Sequence, residues 1–256
     1  MRTQDTQEGH VTPFFESPQQ VDGKPQVVIY NARWEDVWPT LGLQPKDVDL
    51  CWADPPYGVK ERTKRNSAGR GIGEKRIHAS RRARDWSELV GDDRKFDPMP
   101  LLEFPRLVTW GANHYARQLP LSSSWWWDKR EGTTPDDNAD GELAWTNLGG
   151  PARQFSHLWR GLCQASEKMG GGERIHPTQK PVALCEWGFQ RAGLKPGQLV
   201  FAPYLGSGPE VRAAINMGLR IIGCEVDADY CRTVVAHRVA LAAPRRGQEG
   251  QVLLPL

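Results

Sequence analysis

Residues 199–226 read LVFAPYLGSGPEVRAAINMGLRIIGCEV, and the fold class turns on this stretch. Leu199 to Tyr204 is a short apolar run suited to a strand, and Gly206-Ser207-Gly208 is a tight turn. Pro209 to Met217 is a helix stopped by Gly218, and Arg220 to Val226 is a second strand. Strand, glycine turn, helix and strand in that order specify a βαβ unit, hence parallel strands and an α/β fold. The glycines let a ligand come close to the main chain, and the free amides of the helix start favour an anionic group. Glu225, roughly 20 residues on, is spaced to accept ribose hydroxyls. A packing turn is the plain alternative. No GK[ST] follows the turn, which disfavours a triphosphate-cradling loop.

The same grammar extends outward. Asp229 to Ala242 reads as a final helix with its apolar face toward the sheet, followed by a tail over 244–256. Pro181 to Ala192 reads as a helix, with a proline suited to a first turn and Gly193 suited to a C-terminal cap. Gln26–Ala32 (QVVIYNA) and Val48–Ala53 (VDLCWA) predict two neighbouring buried strands, with one or two helical turns between Trp34 and Leu43. The middle third is β-heavy, with strands expected at Arg106–Asn113, Ser124–Lys129, Glu142–Asn147 and Gln154–Trp159. Residues 1–25 lack periodicity and predict a flexible arm. The expected organisation is one domain over 26–243, with insertions within 59–175.

At 256 residues the chain can bury one sizeable core. Lys and Arg number 33 against 31 Asp and Glu, a formal charge of +2, so a nucleic-acid surface has to come from local clustering. Cys51, Cys163, Cys185, Cys224 and Cys231 form no CxxC pair. Their odd count fits neither a disulfide framework nor a zinc site, so no metal is expected and the setting is a reducing cytoplasm. No stretch approaches the roughly 18 apolar residues that span a bilayer. Eleven tryptophans, most of them beside apolar residues, read as core packing.

Directly after the strand at 48–53 stands Asp54-Pro55-Pro56-Tyr57-Gly58, where open α/β sheets place ligand-binding residues. An exocyclic amine on a base is a poor nucleophile because its lone pair is delocalised into the ring. The Asp54 carboxylate and the Pro55 carbonyl can each accept one of its N–H bonds, drawing the nitrogen toward tetrahedral geometry. Pro55 and Pro56 hold that carbonyl rigidly, and Tyr57 can stack on an extruded base. An ordinary Asp-Pro turn is the competing reading.

His176-Pro177-Thr178-Gln179-Lys180-Pro181 precedes a helix. Thr178 suits a helix cap, while His176 and Lys180 suit a carboxylate such as that of a methionine moiety. The basic run Lys60 to Arg84 follows the Asp54 motif, and its Arg81, Arg82 and Arg84 suit DNA phosphates. A solvated loop is the alternative there.

Together these motifs resemble the β-class amino DNA methyltransferases, the N6-adenine and N4-cytosine group, in which DPPY precedes a recognition region, then HPTQKP, then the GSG strand. Trp110-Gly111-Ala112-Asn113, Trp127-Asp128-Lys129 and Glu142-Leu143-Ala144-Trp145-Thr146 are similar to phage-type members. The resemblance runs from about Gln26 to Val239. It implies a Rossmann-like, mostly parallel seven-stranded sheet, S-adenosyl-L-methionine as cofactor, DNA as partner, base flipping, and adenine N6 as the target associated with DPPY. Asp54, Pro55, Pro56 and Tyr57 then become the catalytic group. His176, Thr178, Lys180, Pro203, Tyr204, Gly206, Ser207, Gly208 and Glu225 become the cofactor-binding group. A homodimer, and a role in restriction, regulation or phage self-protection, are left open.

Two places depart from the pattern. Relatives usually read DPF or DPY before the GSG turn, whereas this chain has Ala202-Pro203-Tyr204 and lacks a carboxylate facing the methionine ammonium. Near the end of the first strand relatives often carry an acid, and this chain reads Tyr30-Asn31-Ala32-Arg33. Weak cofactor binding is the consequence expected, with Glu210 placed to compensate in part. Two rivals stand beside adenine methylation: N4-cytosine or RNA methylation, and a catalytically silent DNA-binding homologue.

Overall fold

Strands buried on both faces read as continuous apolar runs, because helices cover both sides of a parallel sheet. Leu50–Ala53, Leu107–Trp110 and Leu199–Ala202 are buried at every position, and they form the middle of the molecule. The computed structural model describes residues 11–58, 91–92, 94–133, 139–160, 163–164 and 178–240. Its strands are β1 (Phe15–Glu16), β2 (Gln20–Val21), β3 (Lys24–Pro25), β4 (Val27–Tyr30), β5 (Leu50–Ala53), β6 (Leu107–Trp110) and β7 (Ser123–Asp128). They continue as β8 (Gly141–Thr146), β9 (Arg153–Ser156), β10 (Trp159–Arg160), β11 (Cys163–Gln164), β12 (Leu199–Ala202) and β13 (Arg220–Cys224). The α-helices are α1 (Trp34–Val37), α2 (Val182–Arg191), α3 (Pro209–Asn216) and α4 (Ala228–Val234).

Nine strands make one sheet in the order β1-β4-β13-β12-β5-β6-β8-β7-β9. The run from β4 to β6 is parallel throughout, while β8 is antiparallel to both β6 and β7. The seven strands expected are those from β4 to β7, and the sheet carries one more at each edge. β9 adds in parallel to β7 and β1 adds antiparallel to β4. Residues 11–25 therefore differ from the flexible arm expected of them. Phe15 pairs with Ile29, and β2 and β3 form a small hairpin. β1 is too short to show periodicity, and tertiary pairing supplies what local pattern cannot.

Alternation along the central strands divides the core in two. Leu50, Trp52 and Val200 face a cluster that includes Leu184, Phe189, Val211 and Val234 from α2, α3 and α4. Cys51, Ala53 and Phe201 face a second cluster with Trp34, Val37 and Phe104. Most tryptophans do pack inside: Trp52 meets Trp110 edge to face at 5.8 Å and Phe189 at 5.3 Å. Trp125 and Trp127 are buried while Trp126 between them is exposed.

The fit between α2 and the sheet is close at Gly188, where an added Cβ would lie 2.4 Å from two Trp52 ring atoms. That ring is held by Trp110 and Phe189 and cannot step aside. Overpacking of this kind costs about 1–3 kcal/mol, so Gly188→Ala is expected to lower the urea midpoint by a corresponding amount with the denaturant slope unchanged.

Candidate active site

A parallel pair delivers both of its chain exits to the same edge of the sheet. β5 and β12 pair in parallel with Val200 opposite Leu50 and Phe201 opposite Cys51. Asp54, one residue beyond β5, and the turn at 204–208, just beyond β12, consequently open into one cleft of about 910 Å³. The direction of strand succession reverses between β5 and β12, the switch point at which open α/β sheets form their ligand crevice.

Asp54 sits in a chain of charges. Its Oδ2 is salt-bridged to Lys180 Nζ, which also lies 3.1 Å from Glu142 Oε2, and Glu142 is in turn salt-bridged to Lys129. Burial alone would raise the Glu142 pKa, but Lys180 and Lys129 outweigh it and hold the carboxyl down at about 2. Burial likewise disfavours the Lys180 cation, and the two carboxylates reverse that and raise its pKa. The alternation of sign, acid-base-acid-base, lets four ionised groups share one wall of the cleft.

Tyr57 closes the other side of Asp54. Its hydroxyl donates to Asp54 Oδ1 at 2.7 Å, and its ring stacks on the exposed His114 imidazole with centroids 4.8 Å apart and planes inclined by 12°. Burial, with Asp54 and Glu142 adding negative charge, pushes its pKa well up, so the phenol remains a donor. Gly111 underlies the ring: φ is 70°, and an added Cβ would fall 2.0 Å from Tyr57 Cε1. The Gly58 amide donates to Asp92 at 2.8 Å and ties down the end of the loop.

Across the cleft, Glu225 follows β13. Its carboxylate accepts from the Gly206 amide and from the Asp227 amide, each at 2.8 Å. Burial raises its pKa and these amide bonds oppose the rise. Arg238 Nε donates to the Ser207 carbonyl at 3.0 Å, and Trp34 Nε1 donates to the Tyr204 hydroxyl at 2.9 Å. The turn is thus held from three sides.

The model of the DNA methylase family matches residues 120–236. Over that segment, a little under half of its length, the chain is similar to the DNA methylase family. Type II methyltransferase M2.DpnII of Streptococcus pneumoniae is 35% identical over 81 residues, 31% of this chain and 29% of the relative. The match therefore spans under a third of that protein's length. The PvuII DNA methyltransferase, named as cytosine-N4-specific, superposes with a TM-score of 0.53 at 13% identity, covering 88% of each chain. The complex of M1.HpyAVI with SAM gives 0.45 at 18% identity, covering 82% of this chain and 98% of that one. At these identities the likeness concerns the fold alone.

The cleft suits S-adenosyl-L-methionine, the cofactor that the sequence resemblance implies. It combines acids at Glu225 and Glu210, aromatic wall at Trp34, Tyr204 and Tyr230, and the glycine turn. Its volume lies within the usual range for small-molecule sites. Asp54, Pro55, Pro56, Tyr57, Thr178, Lys180, Pro203, Tyr204, Gly206, Ser207 and Glu225 line it together. Gly208 is the N-cap of α3, with φ 62°. Two expectations change. Lys180 is engaged by Asp54 and Glu142 rather than standing ready for a donor carboxylate. Helix α2 starts after Pro181 without a side-chain cap, so Thr178 does not cap it. His176, Arg81, Arg82, Arg84 and the run 60–84 lie outside the described residues. Glu142, Lys129 and Gly111 stood in quoted motifs without an assigned role and His114 in none, because only the β7–β8 register and the fold of the loop after β6 bring them to Asp54 and Tyr57.

Glu142→Gln leaves Lys129 and Lys180 with Asp54 as their sole neutralising carboxylate within this network. Breaking a buried pair costs about 3–5 kcal/mol. Glu142 is partly exposed, so about 2–3 kcal/mol of lost stability near pH 7 is expected. A carboxyl with a depressed pKa stabilises above its unfolded value and loses that contribution as pH falls through its folded one. The gap between wild type and variant in urea unfolding should therefore narrow from pH 4.5 down to about 2.

Proposed function

We propose that this protein transfers a methyl group from S-adenosyl-L-methionine to the exocyclic N6 amine of adenine in DNA, after flipping the base out of the duplex. The observation that carries this reading is the single cleft shared by Asp54-Pro55-Pro56-Tyr57 and by Gly206-Ser207 with Glu225, about 910 Å³ in volume. An amine acceptor and a nucleoside-binding turn there face the same space.

Each residue then has a task. Asp54 accepts one N–H of the target amine. A carboxylate offers about four lone-pair sites, so Tyr57 and Lys180 leave room for it. The Pro55 carbonyl accepts the second N–H, and with both bonds made the nitrogen lone pair points into the cleft. Tyr57 supplies a stacking face for the base, worth about 1–3 kcal/mol. Lys180 and Glu142 position Asp54, and Gly111 makes room for the tyrosine ring. Glu225 receives the ribose, with Pro203, Tyr204 and the glycine turn forming the surrounding wall and Thr178 standing beside it. The cofactor, when bound, supplies an electrophilic methyl on a sulfonium, and alignment with the amine provides much of the catalysis. No strong general base is called for, because the amine proton leaves after the nitrogen has become cationic. Arg81, Arg82 and Arg84 meet DNA phosphates.

Incubation of unmethylated DNA with labelled S-adenosylmethionine, followed by nucleoside analysis, tests the reading. N6-methyladenine is the product expected, and N4-methylcytosine would overturn the choice of base. Asp54→Ala should lower the single-turnover rate roughly 10²–10³-fold, as for loss of a preorganised transition-state contact. An Arg81, Arg82 and Arg84 triple substitution should flatten the salt dependence of DNA binding.

A further inference from the structure

The position where the resemblance expects a carboxylate holds Ala202, fully buried within the sheet. Eight residues on, the chain spends a different acid on the same cleft. Glu210 stands in the first turn of α3, lines the cleft, and is only 4% exposed. Among the described residues it forms no salt bridge, and its hydrogen bond comes from its own main-chain amide. An acid placed so deeply without a cation is costly unless it stays protonated or a cation arrives.

We propose that Glu210 receives the α-ammonium of the methyl donor, the task that Ala202 leaves unfilled. This rests on the S-adenosylmethionine reading of the cleft. The groups that act on Glu210 come from three other elements: Asp54 after β5, Arg238 beyond α4, and Lys180 before α2. Glu210 lines the same cleft as Asp54, whose charge reaches it, whereas Glu225 is bound up with Gly206 and Asp227. The methyl must face Asp54, and in S-adenosylmethionine the ammonium is separated from the sulfonium by a short carbon chain. The amino-acid end then extends to Glu210 within that cleft. Arg238 is already committed to the Ser207 carbonyl, and Lys180 to Asp54 and Glu142, so neither neutralises Glu210 by direct contact.

Burial, reinforced by Asp54, raises the Glu210 pKa to about 8. Near pH 7 the free protein therefore holds the carboxyl mainly protonated. An ammonium arriving beside it favours the carboxylate, and the proton goes to solvent. Donor binding near pH 7 is expected to release close to one proton through this group. Because the free-state carboxyl is mainly neutral, Glu210→Gln imitates it closely and should fold and melt as wild type does.

Calorimetric titration of wild type and Glu210→Gln with S-adenosylmethionine, S-adenosylhomocysteine and 5′-methylthioadenosine decides the matter. The last compound has the nucleoside but no amino-acid end. The variant is expected to bind the first two at least about tenfold more weakly, or about 1.4 kcal/mol, and methylthioadenosine within about twofold of wild type. Titration in two buffers of different ionisation enthalpy should show a released proton for wild type that the variant lacks. Equal affinity of both proteins for S-adenosylhomocysteine would overturn the assignment, as would an equal loss for all three compounds or a loss confined to the sulfonium. A wild-type protein that binds none of the three removes the donor reading itself, which is a distinct outcome.

Discussion

The parallel pairing of β5 with β12 is the constraint on which the rest depends. It is anchored below by Asp49, whose carboxylate accepts from the Leu199 amide at 2.8 Å across 150 residues of chain, and from Gln198 Nε2 at 2.6 Å. With the register set there, the Asp54 loop and the glycine turn must emerge side by side. A shift of one residue would exchange the faces of one strand relative to the other, sending either Trp52 or Val200 into the wrong half of the core. Burial of the tryptophan cluster and placement of the cleft are thus one choice made by the same strands.

On that frame the cleft is built with two electrostatic styles. The acceptor wall balances its charges in contact, Asp54 with Lys180 and Glu142 with Lys129. Buried ions are tolerable when each is paired and hydrogen-bonded. The donor wall leaves its acids without cations among the described residues: Glu225 is satisfied by main-chain amides and Glu210 by its own. A paired wall stays rigid and organised, whereas acids lacking cations favour a positively charged guest. The difference between the walls suits the proposed transfer from a cationic donor to a neutral base.

Much of this was legible in the sequence, for identifiable reasons. The central strands are continuous apolar runs because both faces are covered, and the βαβ unit at 199–226 declares its own turns through Gly206, Gly208 and Gly218. The Asp54 motif was visible because prolines and a tyrosine directly after a strand have few structural uses. The remainder depends on tertiary pairing. Lys129 and Glu142 meet only because Trp127 stands opposite Glu142 in the β7–β8 register. His114 reaches Tyr57 only because Gly111 adopts a left-handed turn after β6. Lys180 reads locally as a donor for an anionic ligand, and nothing within its own motif announces Asp54 as its partner. The pairing of β1 leaves no trace in a two-residue strand.

Hydrogen exchange with and without S-adenosylhomocysteine examines the central claim most directly, since the claim is that one ligand touches two segments far apart in the chain. Peptides spanning 52–58 and 204–210 should both slow on addition of the compound, while the sheet edge at β9 is unchanged. Protection confined to one of the two segments, or absent from both, would contradict a shared donor cleft.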